Sequence, residues 1–292
     1  MPFPYSAILK QAYDFTRHDI RIWIFGVFVS IVSELHFLLL SIFCSRSDWE
    51  WFASILAAMF VVLYVSALSR ACLILAAQKL ANREHAEVKA VFFQGGQFAK
   101  QIFFLQISVL GLMILAVAIF GMPVIYLASL QEVGRTVVLG ITGAAVLLPL
   151  GFLLGFMLLY SPILSVLYKL SFRQALTMSF QFARVKWKES LVMAAWLAAI
   201  SFGFMLATGF GIMIAGVPII LIGQGLAVFG LAAGMYAVLL SGGLLCVLAL
   251  IVLLAGLAVF TNFAWVLTVM ELVKTIKDED LAKATAPEAE PA

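Results

Sequence analysis

Long apolar runs alternate along this chain with short stretches in which charged and apolar side chains interleave. Six runs reach the ~20 residues that cross a hydrocarbon core of ~30 Å: 22–43, 51–78, 102–130, 137–167, 190–215 and 238–272. They predict six transmembrane helices. Polar turns join the first two pairs, Ser45-Arg46-Ser47-Asp48 and Gln131-Glu132-Val133-Gly134-Arg135. The third pair has no such turn, because Glu271 is the only charged residue between Leu191 and Val273. Helix breakers must divide this stretch. Gly216, Pro218, Gly223, Gln224 and Gly225 predict that the fifth span ends near Gly216, with 217–237 forming an outer-side or re-entrant apolar arm. A further span at 217–236 also fits by length and would move the C-terminus to the other side.

The remaining gaps show helical periodicity. Ile8, Leu9, Ala12 and Phe15 stand beside Lys10, Asp14 and Arg17, and Phe172, Ala175, Leu176, Phe180 and Ala183 beside Arg173, Gln174, Arg184, Lys186 and Lys188. Helices of this kind lie in the headgroup layer, apolar face down and cations toward phosphate. An amphipathic segment followed by two spans occurs three times, starting near residues 5, 84 and 170. Gly121-Met-Pro123-Val-Ile125 also has a counterpart in Gly216-Val-Pro218-Ile-Ile220. The expected architecture is all-α: a polytopic membrane bundle of six transmembrane helices and three inner-face amphipathic helices with a threefold internal repeat. One transmembrane domain covers 1–277, in units of about 5–78, 84–167 and 170–273, and a disordered cytoplasmic tail covers 278–292.

Charge orients this arrangement. Of the 18 Lys and Arg, all but Arg46, Arg70 and Arg135 fall in alternate gaps or in the tail. Cations near span ends stay on the cytoplasmic side, which predicts an inner-membrane protein with both termini cytoplasmic. A composition that is 64% hydrophobic and 11% charged exceeds what a soluble fold of 292 residues can bury. The net charge of +3, clustered on one face, points to anionic headgroups rather than nucleic acid. Residues 3–21 are too charged for a cleavable signal core, so the first span is expected to serve as an uncleaved insertion signal.

Candidate chemistry is sparse. Ionisable side chains inside a membrane mark function by default, and Glu34, His36 and Arg70 fall within the predicted spans. Glu34 lies roughly 18 Å and Arg70 only a few Å from the inner surface at 1.5 Å per residue, too far apart for an ion pair. Arg70 reads as a snorkelling residue. Glu34 and His36 project about 200° apart and cannot share a metal. Cys44, Cys72 and Cys246 are isolated, so neither a disulfide framework nor a metal site is expected. Seventeen of the 21 glycines lie between 121 and 256, including Gly151-x-x-x-Gly155 and Gly230-x-x-x-Gly234, spacings that let helices approach closely within the bundle or at a dimer face. Pro149 and Pro162 would kink the fourth span. No nucleophile triad, phosphate loop or H-E-x-x-H motif is present, and no catalytic residue or cofactor is expected.

The segments Lys10 to Gly26, with Ile22-Trp23-Ile24-Phe25-Gly26, and Ser171 to Arg184 resemble signature helices of a bacterial six-span superfamily. That superfamily includes the membrane domain fused to glycerophosphoryl diester phosphodiesterases. The resemblance implies a fold over nearly all of the chain except the tail; the phosphodiesterase domain with its metal-binding residues is absent, so no catalytic residue is carried over. The expected function is a non-enzymatic membrane protein that holds anionic lipid headgroups, or organises a membrane partner or second copy, through Arg17, Arg21, Lys100, Arg173, Arg184, Lys186 and Lys188. A small transporter or channel for a lipid or proton-coupled solute, using Glu34, is the alternative. It has few intramembrane polar groups to work with.

Overall fold

The computed structural model describes residues 3–31 and 49–285, with side chains over 3–31 and 54–275. Among these residues there are helices and turns but no strand. The helices are α1 (Tyr5–His18), α2 (23–31), α3 (Trp49–Ala81), α4 (Val88–Ser129), α5 (Val133–Leu167), α6 (Phe172–Val185), α7 (Trp187–Val228) and α8 (Ala232–Thr285). Five of them, α3, α4, α5, α7 and α8, are long and apolar enough to cross a membrane. The first predicted span is described only as far as Ile31; its remainder lies outside the described residues.

Three helices end alike. After α3 the Glu84 N–H reaches the Lys79 carbonyl at 2.8 Å and the Arg83 N–H that of Leu80 at 3.0 Å. The same pair of bonds follows α4, from Glu132 to Leu127 and Gln131 to Ala128, and α7, from Leu231 to Leu226 and Gly230 to Ala227. These are Schellman ends, which satisfy carbonyls left over at the helix terminus and need a left-handed residue. Arg83, Gln131 and Gly230 supply it, with φ of 61°, 58° and 73°.

That geometry corrects the reading of the third pair. α7 runs unbroken through Gly216, Pro218, Gly223 and Gly225, so the helix does not end near Gly216, and residues 217–237 complete α7, turn once and open α8. Pro218 removes one hydrogen bond, as Pro123 does in α4 and Pro149 and Pro162 do in α5, without ending the helix. The chain turns where Gly230 adopts positive φ at no steric penalty. One further expectation changes: the second amphipathic segment is not a separate helix but the first turns of α4.

The chain forms two compact units. In the first, Met1–Ser69 with Leu191–Ala264, the corner between α1 and α2 is fixed locally. The Thr16 hydroxyl donates to the Ala12 carbonyl and the Trp23 indole N–H to the Thr16 carbonyl, each at 2.8 Å, while the Asp19 carboxylate accepts from the Arg21 N–H. Beyond the corner α2 meets α8 through two glycines. A Cβ on Gly26 would collide with the Ala255 carbonyl, and one on Gly256 would stand 2.9 Å from the Trp23 ring. Phe15 packs edge-on against Phe263, with ring centroids 6.5 Å apart.

The second unit is Arg70–Ser190 with Trp265–Ala292. Its core gathers in the half of each helix nearest the basic connections: Ala71 to Ala77 in α3, Val91 to Val109 in α4, Tyr160 to Val166 in α5 and Val266 to Val273 in α8. Tyr160 sits at the centre, fully buried, stacked on Phe156 at 5.7 Å and edge-on to Trp265 at 6.3 Å. Its hydroxyl donates to that of Ser190, which donates in turn to the Lys186 carbonyl at 2.6 Å. The Gln101 amide donates to the Leu170 carbonyl at 2.6 Å and ties α4 to the start of α6. The other halves of α4 and α5 carry bare Leu, Ile, Val and Met side chains, a surface suited to lipid.

Replacing Gly26 by Leu should abolish the α2–α8 approach and reduce the yield of folded protein in detergent, whereas Gly151→Leu, with open space beside it, should leave it unchanged. Tyr160→Ala should cost about 3–5 kcal/mol as a cavity and Tyr160→Phe about 0.6 kcal/mol as a lost interhelical bond, read from unfolding in denaturant.

Candidate headgroup surface

Two separate helices and the base of a third carry Arg17, Lys100, Arg173 and Arg184, while Arg21 lies in the turn after α1 and Lys186 and Lys188 at the junction of α6 with α7. α1 buries Ile8, Ala12 and Thr16 and turns Arg17 outward. The base of α4 buries Val91, Gly95 and Ala99 and exposes Lys100, and α6 buries Ala175, Ser179, Phe182 and Ala183 while exposing Arg173 and Arg184. α6 starts where its sequence indicates: the Gln174 side chain accepts from the backbone N–H of Ser171 at 3.1 Å, one arm of a capping box. The small residues on each buried stripe let these helices lie close on their neighbours; a Cβ at Gly95 would stand 2.6 Å from the Cys72 sulfur. The stripes therefore pack on protein rather than resting on lipid.

Arg17, Arg21, Lys100, Arg173, Arg184 and Lys188 are exposed. None is ion-paired among the described residues, in contrast to Arg135 with Glu132 at 2.9 Å and Lys274 with Glu271 at 3.1 Å. Lys188 also lies 5.7 Å from the Trp187 ring centroid, an arrangement that suits an interfacial aromatic and its cation. An unneutralised cation close to a membrane surface attracts anionic headgroups at about 1 kcal/mol. Lys186 differs. It is 6% exposed at the break between α6 and α7, and its carbonyl accepts from both the N–H and the hydroxyl of Ser190.

The intramembrane candidates are not brought together. Glu34 and His36 lie outside the described residues. Arg70 is half-buried in α3, without a hydrogen bond or ion pair among the described residues. Of the glycine motifs, Gly151 and Gly155 meet no neighbour within the chain, and Gly230 is the turn residue. Buried uncharged polar groups were passed over in the sequence. Among the described residues the Gln106 side-chain amide oxygen and the Ser161 hydroxyl are buried without a hydrogen-bond partner, and Tyr160 bonds Ser190. Only ionisable groups stand out against an apolar run, so Gln and Ser inside a span gave no signal; their depth in long spans was the available clue. Among the described residues no group of three His, Cys, Asp or Glu could hold a metal. Between α7 and α8 lies an open apolar groove of about 350 Å³, lined by residues including Phe204, Thr208, Gly211, Cys246 and Leu253.

Comparison with known proteins finds no matching family model, curated protein or solved structure. The functional argument rests on the arrangement of charge and apolar surface.

Lys186→Ala keeps the carbonyl that Ser190 bonds but empties the space of a buried side chain, and should lower the melting temperature measured in detergent by several degrees, since 1 kcal/mol corresponds to about 2–4 °C at this size. Lys188→Ala, on the surface, should stay within about 0.5 kcal/mol of the parent.

Proposed function

We propose that this chain is a non-enzymatic membrane protein of the inner membrane, both termini cytoplasmic, whose repeated basic helices hold anionic lipid headgroups. The observation that carries the reading is one of register. The three basic helices begin at Tyr5, Val88 and Phe172. Counting from those starts, Ile8, Val91 and Ala175 coincide, as do Ala12, Gly95 and Ser179, and Thr16, Ala99 and Ala183; all nine are buried. Phe15, Phe98 and Phe182 share the position just before the last of these, and Arg17, Lys100 and Arg184 share the exposed one just after it. A threefold repeat accounts for the coincidence: each unit keeps a small-residue seam toward protein and one cation two residues beyond a phenylalanine. Recurrence of a cation at the same exposed position in each unit suits a role for the charge outside the packed core.

Phosphate-bearing lipid is the natural partner of such cations. Each stands at the end of an amphipathic stretch, beside long apolar helices that hold the protein in the bilayer.

Replacing Arg17, Lys100, Arg173, Arg184 and Lys188 by Gln should strip co-purifying anionic lipid, read by native mass spectrometry, while zwitterionic lipid stays bound. Retention in the parent should fall as salt rises, because screening shortens the Debye length to about 3 Å at 1 M. Equal retention of anionic lipid by parent and variant would sink the proposal.

A further inference from the structure

The α7–α8 hairpin carries no charge from Leu191 to Met270. Its arms, Leu191 to Val228 and Ala232 to Met270, are each about 57 Å long at 1.5 Å per residue. A hydrocarbon core of ~30 Å takes up only about 39 Å of helix even at a 40° tilt, the upper end of the range seen for spans. The surplus, about a dozen residues per arm at 1.5 Å each, falls at the connection.

That connection is apolar and bare. Val228 and Phe229 are 84% and 81% exposed, and Leu221, Ile222, Leu231 and Leu240 are exposed as well. The α4–α5 connection is its opposite, with Gln131 at the turn and Glu132 paired to Arg135 beside it. The polar backbone at the apolar tip is largely closed on itself: the Leu231 and Gly230 N–H groups bond the Leu226 and Ala227 carbonyls at 2.9 and 3.0 Å. Near the tip the arms are tightly zipped. A Cβ on Gly223 would stand 3.0 Å from Leu239, and Gly242 faces Ile219 more closely still.

We propose that the α7–α8 connection is immersed in membrane hydrocarbon, with lipid acyl chains as its partner, and does not emerge into water as the α4–α5 connection does. The hairpin lies obliquely or bends over within one leaflet. Lipid is the occupant because the bare tip is continuous with the surface of the same two helices lower down, where Phe202, Met205, Phe210, Met213, Leu244 and Val252 are exposed. No charged residue marks a crossing from lipid into water anywhere along that surface. The proposal stands apart from the headgroup reading, which concerns other helices.

Single-cysteine variants Phe229→Cys, Val228→Cys and Gln131→Cys, built after replacing Cys44, Cys72 and Cys246 by Ala, test it in the full chain reconstituted in phosphatidylglycerol and phosphatidylcholine vesicles. A water-soluble maleimide supplied on both faces should label Gln131→Cys, with labelling lost at positions 228 and 229 until the protein is denatured in SDS. A bimane attached at 229 should be quenched by lipid carrying a nitroxide on its acyl chain. Labelling at 228 and 229 as fast as at 131 would overturn the proposal. Protection without nitroxide quenching would overturn it too, since the tip would then be covered by protein, such as a second copy.

Discussion

Every backbone N–H and C=O must find a partner inside the chain wherever water is absent, and that constraint shapes each element described here. It explains why α7 runs through Gly216, Pro218 and Gly223, residues that end helices in water. Breaking the helix there would free several polar groups in an apolar medium, whereas Pro218 frees one carbonyl. The chain reverses instead where a left-handed residue lets the last carbonyls of a helix fold back on themselves. Gly230 does this without strain, and Arg83 and Gln131 do so at some steric expense because each has a Cβ.

The same constraint separates what the sequence discloses from what it hides. Run length is a direct consequence of bilayer thickness, so the far end of α4 and nearly all of α5 could be read from 102–130 and 137–167, and the helical character of α1 and α6 from their alternation of charge and apolar side chains. The polar residues at 131–135 marked the α4–α5 turn. The α7–α8 turn had no such marker, since Phe229-Gly230-Leu231 looks like the helix on either side of it. Gly and Pro were weighed there by their behaviour in water, and that put the break near Gly216 instead of Gly230.

The candidate surface was legible in part. Charge and periodicity pointed to the exposed cations, but not to Lys186, whose burial depends on the break between α6 and α7 and on Ser190 bonding its carbonyl. Nor could spacing tell which glycines meet a neighbour. Gly26, Gly95 and Gly256 do, while the better-spaced Gly151 and Gly155 do not, because close approach is a property of two helices and the sequence describes one at a time. The Tyr160 cluster was hidden for a related reason: Phe156, Tyr160, Phe182, Ser190 and Trp265 come from four helices with no shared pattern.

The corner between α1 and α2 has a bearing on how the protein is made. Its bonds, Thr16 to Ala12, Arg21 to Asp19 and Trp23 to Thr16, span no more than seven residues. Loop closure over so short a distance takes well under a microsecond, against a synthesis rate of about 5–20 residues per second. The N-terminal elbow can therefore form as soon as it leaves the ribosome, long before the residues of α8 that Gly26 will meet have been translated.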